Sequence, residues 1–318
     1  LKRAFLFPGQ GAQYPGMGKD LHDHSDAVRR LFDAASDAGE INLRRLLFDG
    51  SEEDLKSTDN TQMAITLVNL AAATVLAERG ITAHAAAGFS LGEYASLVQS
   101  GVLASEDVFA VVRRRGQCME RASRELDARY GGTAGMAAVL GLSFDEVRET
   151  LASHAFEQVY PAIHNSPVQT VVAGAGEEFE RAQQVLKETG ARRVMPLKVS
   201  GPFHTPLMES ARAEFEEYLE TVSFADPALP VYSNVTGARV ASGKEARELC
   251  IRQLVSPVLW VDEQRGLVAE GYDELIEVGP GTVLGGLWKA YAKAAGTDSV
   301  ICRPAGTVED IAGIGAEA

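Results

Sequence analysis

Cysteine is scarce in this 318-residue chain; the three present, Cys118, Cys250 and Cys302, are widely spaced and odd in number. No Cys-x-x-Cys pair occurs. A disulfide framework or a structural zinc site is therefore not expected, and free thiols point to a reducing compartment. Basic residues are also in deficit, with 30 Lys+Arg against 44 Asp+Glu and a net charge of −14. That balance argues against nucleic acid or an anionic membrane as partner, since both call for a basic footprint. No apolar run is read as approaching the roughly 18 residues that span a bilayer. The short apolar stretch at the N-terminus is broken by Pro8 and Gly9, unlike a secretory signal. The expectation is a cytoplasmic, monomeric protein. What the chain has in good supply is core: 46% of residues are hydrophobic and 23% charged, the balance of a globular protein. Its length suits about two domains at roughly 150 residues each.

The pattern alternates strand and helix without repeats. Arg3 to Phe7 reads as a strand running into the turn Gly9-Gln10-Gly11. Thr61 to Ala77 reads as a helix apolar on most sides, hence deeply buried. A small-residue strand, Ala85 to Ala87, leads through Gly88 to Gly92 into a helix reaching Leu97. This is α/β patterning with a mostly parallel sheet. The middle differs. Strands at Ala134–Leu140, Glu157–Ile163, Val168–Ala173 and Arg192–Val199 enclose helices at Ser143–Ser153 and Glu177–Thr189. The order βαββαβ is the ferredoxin-like signature. The reading is a catalytic domain over 1–130 and 200–318, interrupted by a ferredoxin-like subdomain at 131–199, with a ligand cleft between them. Downstream, Thr205-Pro206 signals a helix start. Pro230–Asn234 and Asp273–Val278 read as strands, Lys244–Leu254 as a helix, and the turn Gly279-Pro280-Gly281 precedes a helix to about Ala294. Thr307–Ala318 is expected to fray.

Gly88-Phe89-Ser90-Leu91-Gly92 fits Gly-x-Ser-x-Gly between a strand and a helix, the setting of a nucleophile elbow. The glycines allow a sharp turn that exposes the serine, and the following helix offers N–H groups to a developing oxyanion. A structural turn with a capping serine is the plainer alternative. Of six histidines, His22, His24, His84 and His154 sit in polar or helical surroundings, whereas His164 and His204 lie near strand ends. His204, outside the middle segment, is the better placed base, with His164 open. No acidic third member stands out; a backbone carbonyl orienting the imidazole would suit a thioester, whose leaving thiol has a pKa near 8.5. Arg115 falls in the centre of a helical apolar stripe (Val108, Val111, Val112, Met119, Ala122, Leu126). A buried guanidinium needs an anionic or acceptor partner, either an internal acid or a substrate carboxylate. The Gly9-Gln10-Gly11 turn lacks the third glycine of a dinucleotide fingerprint and the Gly-Lys-Ser/Thr of a P-loop, but offers N–H groups at a strand end. No metal site is expected.

Seven motifs then occur in one order: Phe-Pro-Gly-Gln-Gly-Ala-Gln (7–13), Gly-Phe-Ser-Leu-Gly-Glu-Tyr (88–94), Arg-Gly-x-x-Met (115–119), Asn-Ser-Pro-x-Gln (165–169), Phe-His-Thr-x-Leu-Met (203–208), Gln-Leu-x-Ser-Pro-Val-x-Trp (253–260) and Glu-Val-Gly-Pro-Gly (277–281). Through them the chain, from about residue 3 to 304, resembles the malonyl-CoA:acyl-carrier-protein transacylases. The resemblance implies an α/β-hydrolase-like core with a ferredoxin-like insert. It implies ping-pong transfer of malonyl from malonyl-CoA to the phosphopantetheine thiol of acyl carrier protein in fatty acid synthesis, with no permanently bound cofactor. It casts Ser90 as nucleophile, His204 as base, the Gln10 and Leu91 N–H groups as oxyanion hole and the Gln253 carbonyl as orienter of the histidine. Arg115, Met119, Asn165 and Phe203 become substrate-binding residues. Phe89 departs from the histidine usual in the family. Arg192, Arg193, Lys198, Lys289 and Lys293 are candidates for docking an acidic carrier protein. Loading of polyketide carrier proteins is the nearest alternative function, and a serine esterase a more distant one.

Overall fold

Arg3–Phe7 (β1) is buried along its whole length, because it lies inside a parallel sheet ordered β2-β1-β7-β8. Its partners are Ala85–Gly88 (β2) on one side and Glu274–Glu277 (β7) on the other, with Ile301–Pro304 (β8) beyond. A sheet buried on both faces reads as an unbroken apolar run rather than an alternation, which Ala-Phe-Leu-Phe and Ala-Ala-Ala satisfy. The sequence passes over β8, whose residues are partly exposed. This computed structural model describes residues 1–55 and 58–315.

Helices cover the sheet. Lys19–His24 (α1), Asp26–Gly39 (α2) and Leu43–Asp49 (α3), all unforeseen in the sequence, pack near Thr58–Glu78 (α4). Helix α4 from Asn60 is apolar and long enough to cross a membrane, contrary to the expectation, yet 78% of that window is buried inside the fold. Gly92–Gln99 (α5) follows β2 directly, and Val108–Tyr130 (α6) packs along α4.

A second sheet, ordered β4-β5-β3-β6, is antiparallel throughout. It comprises Gly135–Leu140 (β3), Val159–Ser166 (β4), Gln169–Gly174 (β5) and Arg193–Pro196 (β6), with Phe144–Ser153 (α7) and Gly176–Thr189 (α8) as its helices. Helix α7 starts at a capping box between Ser143 and Glu146, a pairing of two otherwise unpaired N–H groups. A small separate core (Val139, Val147, Val172, Leu186) lies beneath it. Strand β4 is tied to the segment around Val258, outside both sheets: His164 N–H donates to the Val258 carbonyl at 2.8 Å and Val258 N–H to the Ala162 carbonyl at 2.9 Å.

The remaining elements are Glu209–Leu219 (α9), Gly243–Gln253 (α10), Trp260–Ala269 (α11), Val283–Ala295 (α12) and Val308–Ala312 (α13). A helix does start at Thr205-Pro206, with Thr205 at the N-cap position and Pro206 in the first turn, but that turn (Pro206–Met208) is 3-10 ahead of α9 and the Thr205 hydroxyl donates to the Pro202 carbonyl instead of to the helix. Two expectations need correction. Pro230–Asn234 is no extended strand: Val231 makes a single bridge to Ala86 and Tyr232 one to Arg239, since the chain turns at Ser233 to deliver Asn234 inward. The C-terminal segment does not fray, because a Thr307–Asp310 capping box starts α13 and Ile311 and Ile314 are buried. Residues 316–318, the end of that segment, lie outside the described residues.

Parallel strands send their carboxyl ends to one edge, where α/β proteins collect ligand-binding loops. Here the loop after β1 (8–13), the turn after β2 (88–92) and the turn after β7 (279–281) meet there. They are pressed together: a Cβ on Gly9 would sit 2.3 Å from the Phe89 carbonyl oxygen, and one on Gly92 2.0 Å from that of Phe7.

Candidate active site

Ser90 occupies the turn between β2 and α5 with φ +51°, a left-handed conformation that costs a non-glycine residue about 1–2 kcal/mol. The turn lifts its side chain clear of the sheet, and Ser90 Oγ lies 2.7 Å from His204 Nε2. His204, also at positive φ (+62°), is buried. Its Nδ1 lies 2.9 Å from the Gln253 carbonyl oxygen. That oxygen can only accept, so Nδ1 carries the proton and Nε2 is left as the acceptor for the serine hydroxyl. Gln253 ends α10, where carbonyls lack an intrahelical partner. The negative end of the helix dipole thus faces the imidazole. Burial, reinforced by the Arg115 charge, lowers the His204 pKa to about 4, so the ring is neutral at pH 7.

Arg115 is buried in α6 and holds a fork toward this pair. Nη1 donates to Gln62 Oε1 at 3.0 Å, Nη2 to Gln253 Oε1 at 3.0 Å, and Nη2 reaches Ser90 Oγ at 3.5 Å. The guanidinium carbon stands 5.4 Å from the centroid of the Tyr94 ring. Among the described residues it forms no ion pair, and its Nε is buried without a partner. Two neutral amides orient the charge without neutralising it.

A cavity of about 270 Å³ opens over Ser90 and His204. Gln10, Phe203 and Val283 line it from the parallel-sheet side, Ile163, Asn165 and Val171 from the antiparallel sheet. Met119 sits in its wall and accepts from Gln62 Nε2 at 3.4 Å. Asn165 Oδ1 is buried without a partner among the described residues. Neither Gln10 N–H nor Leu91 N–H has an acceptor among them, and a Cβ on Gly9 would fall 3.4 Å from Leu91 N. His164 is elsewhere, stacked on Phe144 and 3.8 Å from Asp262.

The sequence profile of the acyl transferase domain family matches residues 4–305. The chain belongs to that family. It is 39% identical over 301 residues to the malonyl CoA-acyl carrier protein transacylase of Bacillus subtilis, covering 94% of this chain and 93% of that one. Among solved structures it is similar to a malonyl-transacylase in complex with a type II PKS acyl-carrier protein (TM-score 0.91, 34% identity, 98% of each chain). It is similar also to the Streptococcus pneumoniae enzyme (TM-score 0.90, 36% identity, 98% of each chain).

The site of this acyl transferase domain contains residues that sequence reasoning did not single out. Gln62, Thr66 and Asn69 are fully buried on the mostly apolar α4. Their spacing of four and three places them on one helical face, and that polar stripe was the available signal. Gln62 holds Arg115, and Asn69 Nδ2 donates to the Pro8 carbonyl at 3.0 Å, bracing the loop after β1. Asn234, Glu93 and Glu263 form a buried cluster under Ser90; no local pattern marks it, because its members come from distant segments. Glu93 is raised to about 7, chiefly by burial, and Glu263 is pushed well above the carboxylate range by burial and by Glu93. Phe89 packs edge-on against Trp260 at 5.5 Å and faces the cavity.

Proposed function

We propose that this acyl transferase domain moves a malonyl group from malonyl-CoA to the phosphopantetheine thiol of acyl carrier protein, in the cytoplasm and in fatty acid synthesis. The observation that carries this reading is the buried Arg115 fork, without a direct ion-pair partner among the described residues, 3.5 Å from the hydroxyl of Ser90. Such a pocket suits a short acyl group with a free carboxylate at its far end.

His204 Nε2 takes the Ser90 proton as Oγ attacks the thioester carbonyl. The tetrahedral oxyanion is received by the N–H groups of Gln10 and Leu91, worth about 10²–10³ in rate per donor. Collapse expels CoA, whose thiolate takes the proton from His204, and malonyl-Ser90 remains. The carrier-protein thiol then gives its proton to His204 and attacks the same carbonyl; collapse breaks the ester bond to Ser90 Oγ, which takes the proton back from His204 and leaves malonyl on the carrier thiol. General base catalysis contributes about 10²–10⁴. Arg115 holds the malonyl carboxylate throughout, Asn165 offers its unpartnered Oδ1 to the thioester arm, and Met119 and Phe203 bound the acyl group. CoA and phosphopantetheine enter as substrates. Orientation of His204 by a carbonyl suits a leaving thiol, and no observation favours the esterase or the polyketide-dedicated reading.

The domain assignment belongs to the same proposal. The strand order β4-β5-β3-β6 with two helices supports a ferredoxin-like insert over 131–199, set in an α/β-hydrolase-like domain over 1–130 and 200–318. Lys198 stands on the cavity wall, and Arg192, Arg193, Lys289 and Lys293 are exposed. They offer local positive charge to an acidic carrier. Intact-protein mass spectrometry after brief exposure to malonyl-CoA or acetyl-CoA tests the reading. A malonyl adduct on Ser90, abolished by Ser90→Ala and far faster than acetyl, is expected; no adduct, or equal rates, would overturn it.

A further inference from the structure

We infer that Asn234, held by Glu263, is a positioning residue that clamps the Ser90 turn in its reactive left-handed conformation. The inference rests on the reading of Ser90 as nucleophile.

Asn234 is fully buried beneath the turn, and every polar atom of its side chain is engaged. Oδ1 accepts the Ser90 N–H at 2.7 Å and Gln253 Nε2 at 3.3 Å. Nδ2 donates to the Gly88 carbonyl at 2.7 Å and to Glu263 Oε1 at 2.8 Å. One amide therefore grips the turn on both sides of Phe89. Its orientation is not free. Gly88 O can only accept and Ser90 N–H can only donate, so a flipped amide would lose both bonds.

Glu263, fully buried on α11, supplies a second acceptor that holds the NH₂ group in place. Its neutral form, favoured by burial and by neighbouring Glu93, adds no buried charge. The backbone N–H of Asn234 donates to Glu93 Oε2 at 3.3 Å, and Gln253 Nε2 donates to the same carboxyl and to the Ser90 carbonyl. Through Gln253 the clamp also meets Arg115 and the carbonyl that orients His204.

Ser90 at φ +51° has no intrinsic reason to stay there. Without the bond to Asn234 Oδ1 the turn relaxes toward negative φ, and Oγ leaves the 2.7 Å contact with His204 Nε2. Displacement of a reacting group by about 1 Å costs on the order of 100-fold in rate. Arg115 and the acyl pocket are anchored by Gln62 as well, so ground-state binding should be little affected.

Asn234→Ala and Asn234→Asp would be compared with wild type by rapid-quench measurement of Ser90 acylation at varied malonyl-CoA. Thermal unfolding of each establishes the folded fraction. Asn234→Ala should lower the acylation rate constant about 100-fold with the half-saturating malonyl-CoA concentration changed less than about 3-fold. Asn234→Asp keeps an acceptor for Ser90 N–H but sets oxygen against the Gly88 carbonyl oxygen, and it should be similarly slow with half-saturation equally unmoved. A folded Asn234→Ala within about 3-fold of wild type overturns the inference. So does a folded Asn234→Asp within that range, which also covers the case of an unfolded alanine variant. If wild type itself forms no adduct on Ser90, the functional proposal fails instead.

Discussion

Replacing Arg115 by alanine tests the link between charge and substrate most directly. The guanidinium makes two buried bonds to Gln62 and Gln253 and leaves Nε free. A malonyl carboxylate seated against this fork would gain charge-assisted bonds, each worth about 1.5–3 kcal/mol. Truncation leaves that carboxylate buried and unpaired, for a combined cost of about 2–4 kcal/mol. At 1.4 kcal/mol per decade this is roughly a 30- to 1000-fold loss in kcat/KM for malonyl-CoA. The substitution also strips partners from Gln62 Oε1 and Gln253 Oε1, so some stability will be lost. The decisive quantity is therefore the ratio of malonyl to acetyl rates in the same folded preparation, in which structural damage cancels. Acetyl-CoA brings no carboxylate and should react as fast as before or faster. A second readout is independent of substrate affinity. Arg115 helps to hold the His204 pKa down to about 4, so its removal should move the acid limb of acetyl transfer to higher pH. Equal losses with both substrates, with that limb unmoved, would make Arg115 a structural residue and refute the reasoning.

With His204 neutral down to about pH 4, acylation should be level from pH 8 to about 5 and fall below that; a pH-rate profile of Ser90 acylation checks it. The same shift carries a sign for stability. Unfolded histidine titrates near 6.5, so the unfolded chain binds a proton that the folded one refuses; denaturant titrations should show this contribution being lost as pH falls from about 6.5 to 4. Glu93 acts oppositely: raised to about 7, it favours folding at low pH and loses that contribution as pH rises through 7, so Glu93→Gln should flatten the loss. Gly9→Ala would drive a Cβ to 2.3 Å from the Phe89 carbonyl oxygen and displace the loop carrying Gln10; acylation should fall about 100-fold with half-saturation little changed in steady-state assays. Charge reversal at Lys198, Lys289 and Lys293 should slow transfer to carrier protein by roughly 10-fold, chiefly through association, while hydrolysis-corrected acylation by malonyl-CoA stays the same.

Local chemistry was enough to place several parts of this protein. The Gly-x-Ser-x-Gly turn needs only its own glycines and flanking apolar strand, and the structure puts it between Ala85–Gly88 and Gly92–Gln99. The stripe that buries Arg115 is a matter of helical period, and all its named members are buried in Val108–Tyr130. The βαββαβ order likewise follows from alternations that each segment carries alone. Other parts had no local signature. Pro230–Asn234 has strand composition but forms only single bridges, because the bonds of its last residue go to a turn 144 positions away. Glu93 and Glu263 read as ordinary helical acids, and only packing reveals them as buried around an asparagine. Gln62 gives no sign within its helix of the arginine it holds. Propensity and periodicity are sums over neighbours in the chain, so sequence alone decided the elbow and most of the helices and strands, but not α1–α3, β8 or the bridges of Pro230–Asn234. The reactive geometry depends on hydrogen bonds between segments from about 30 to more than a hundred residues apart, and these exist only once the sheets and helices have closed around them.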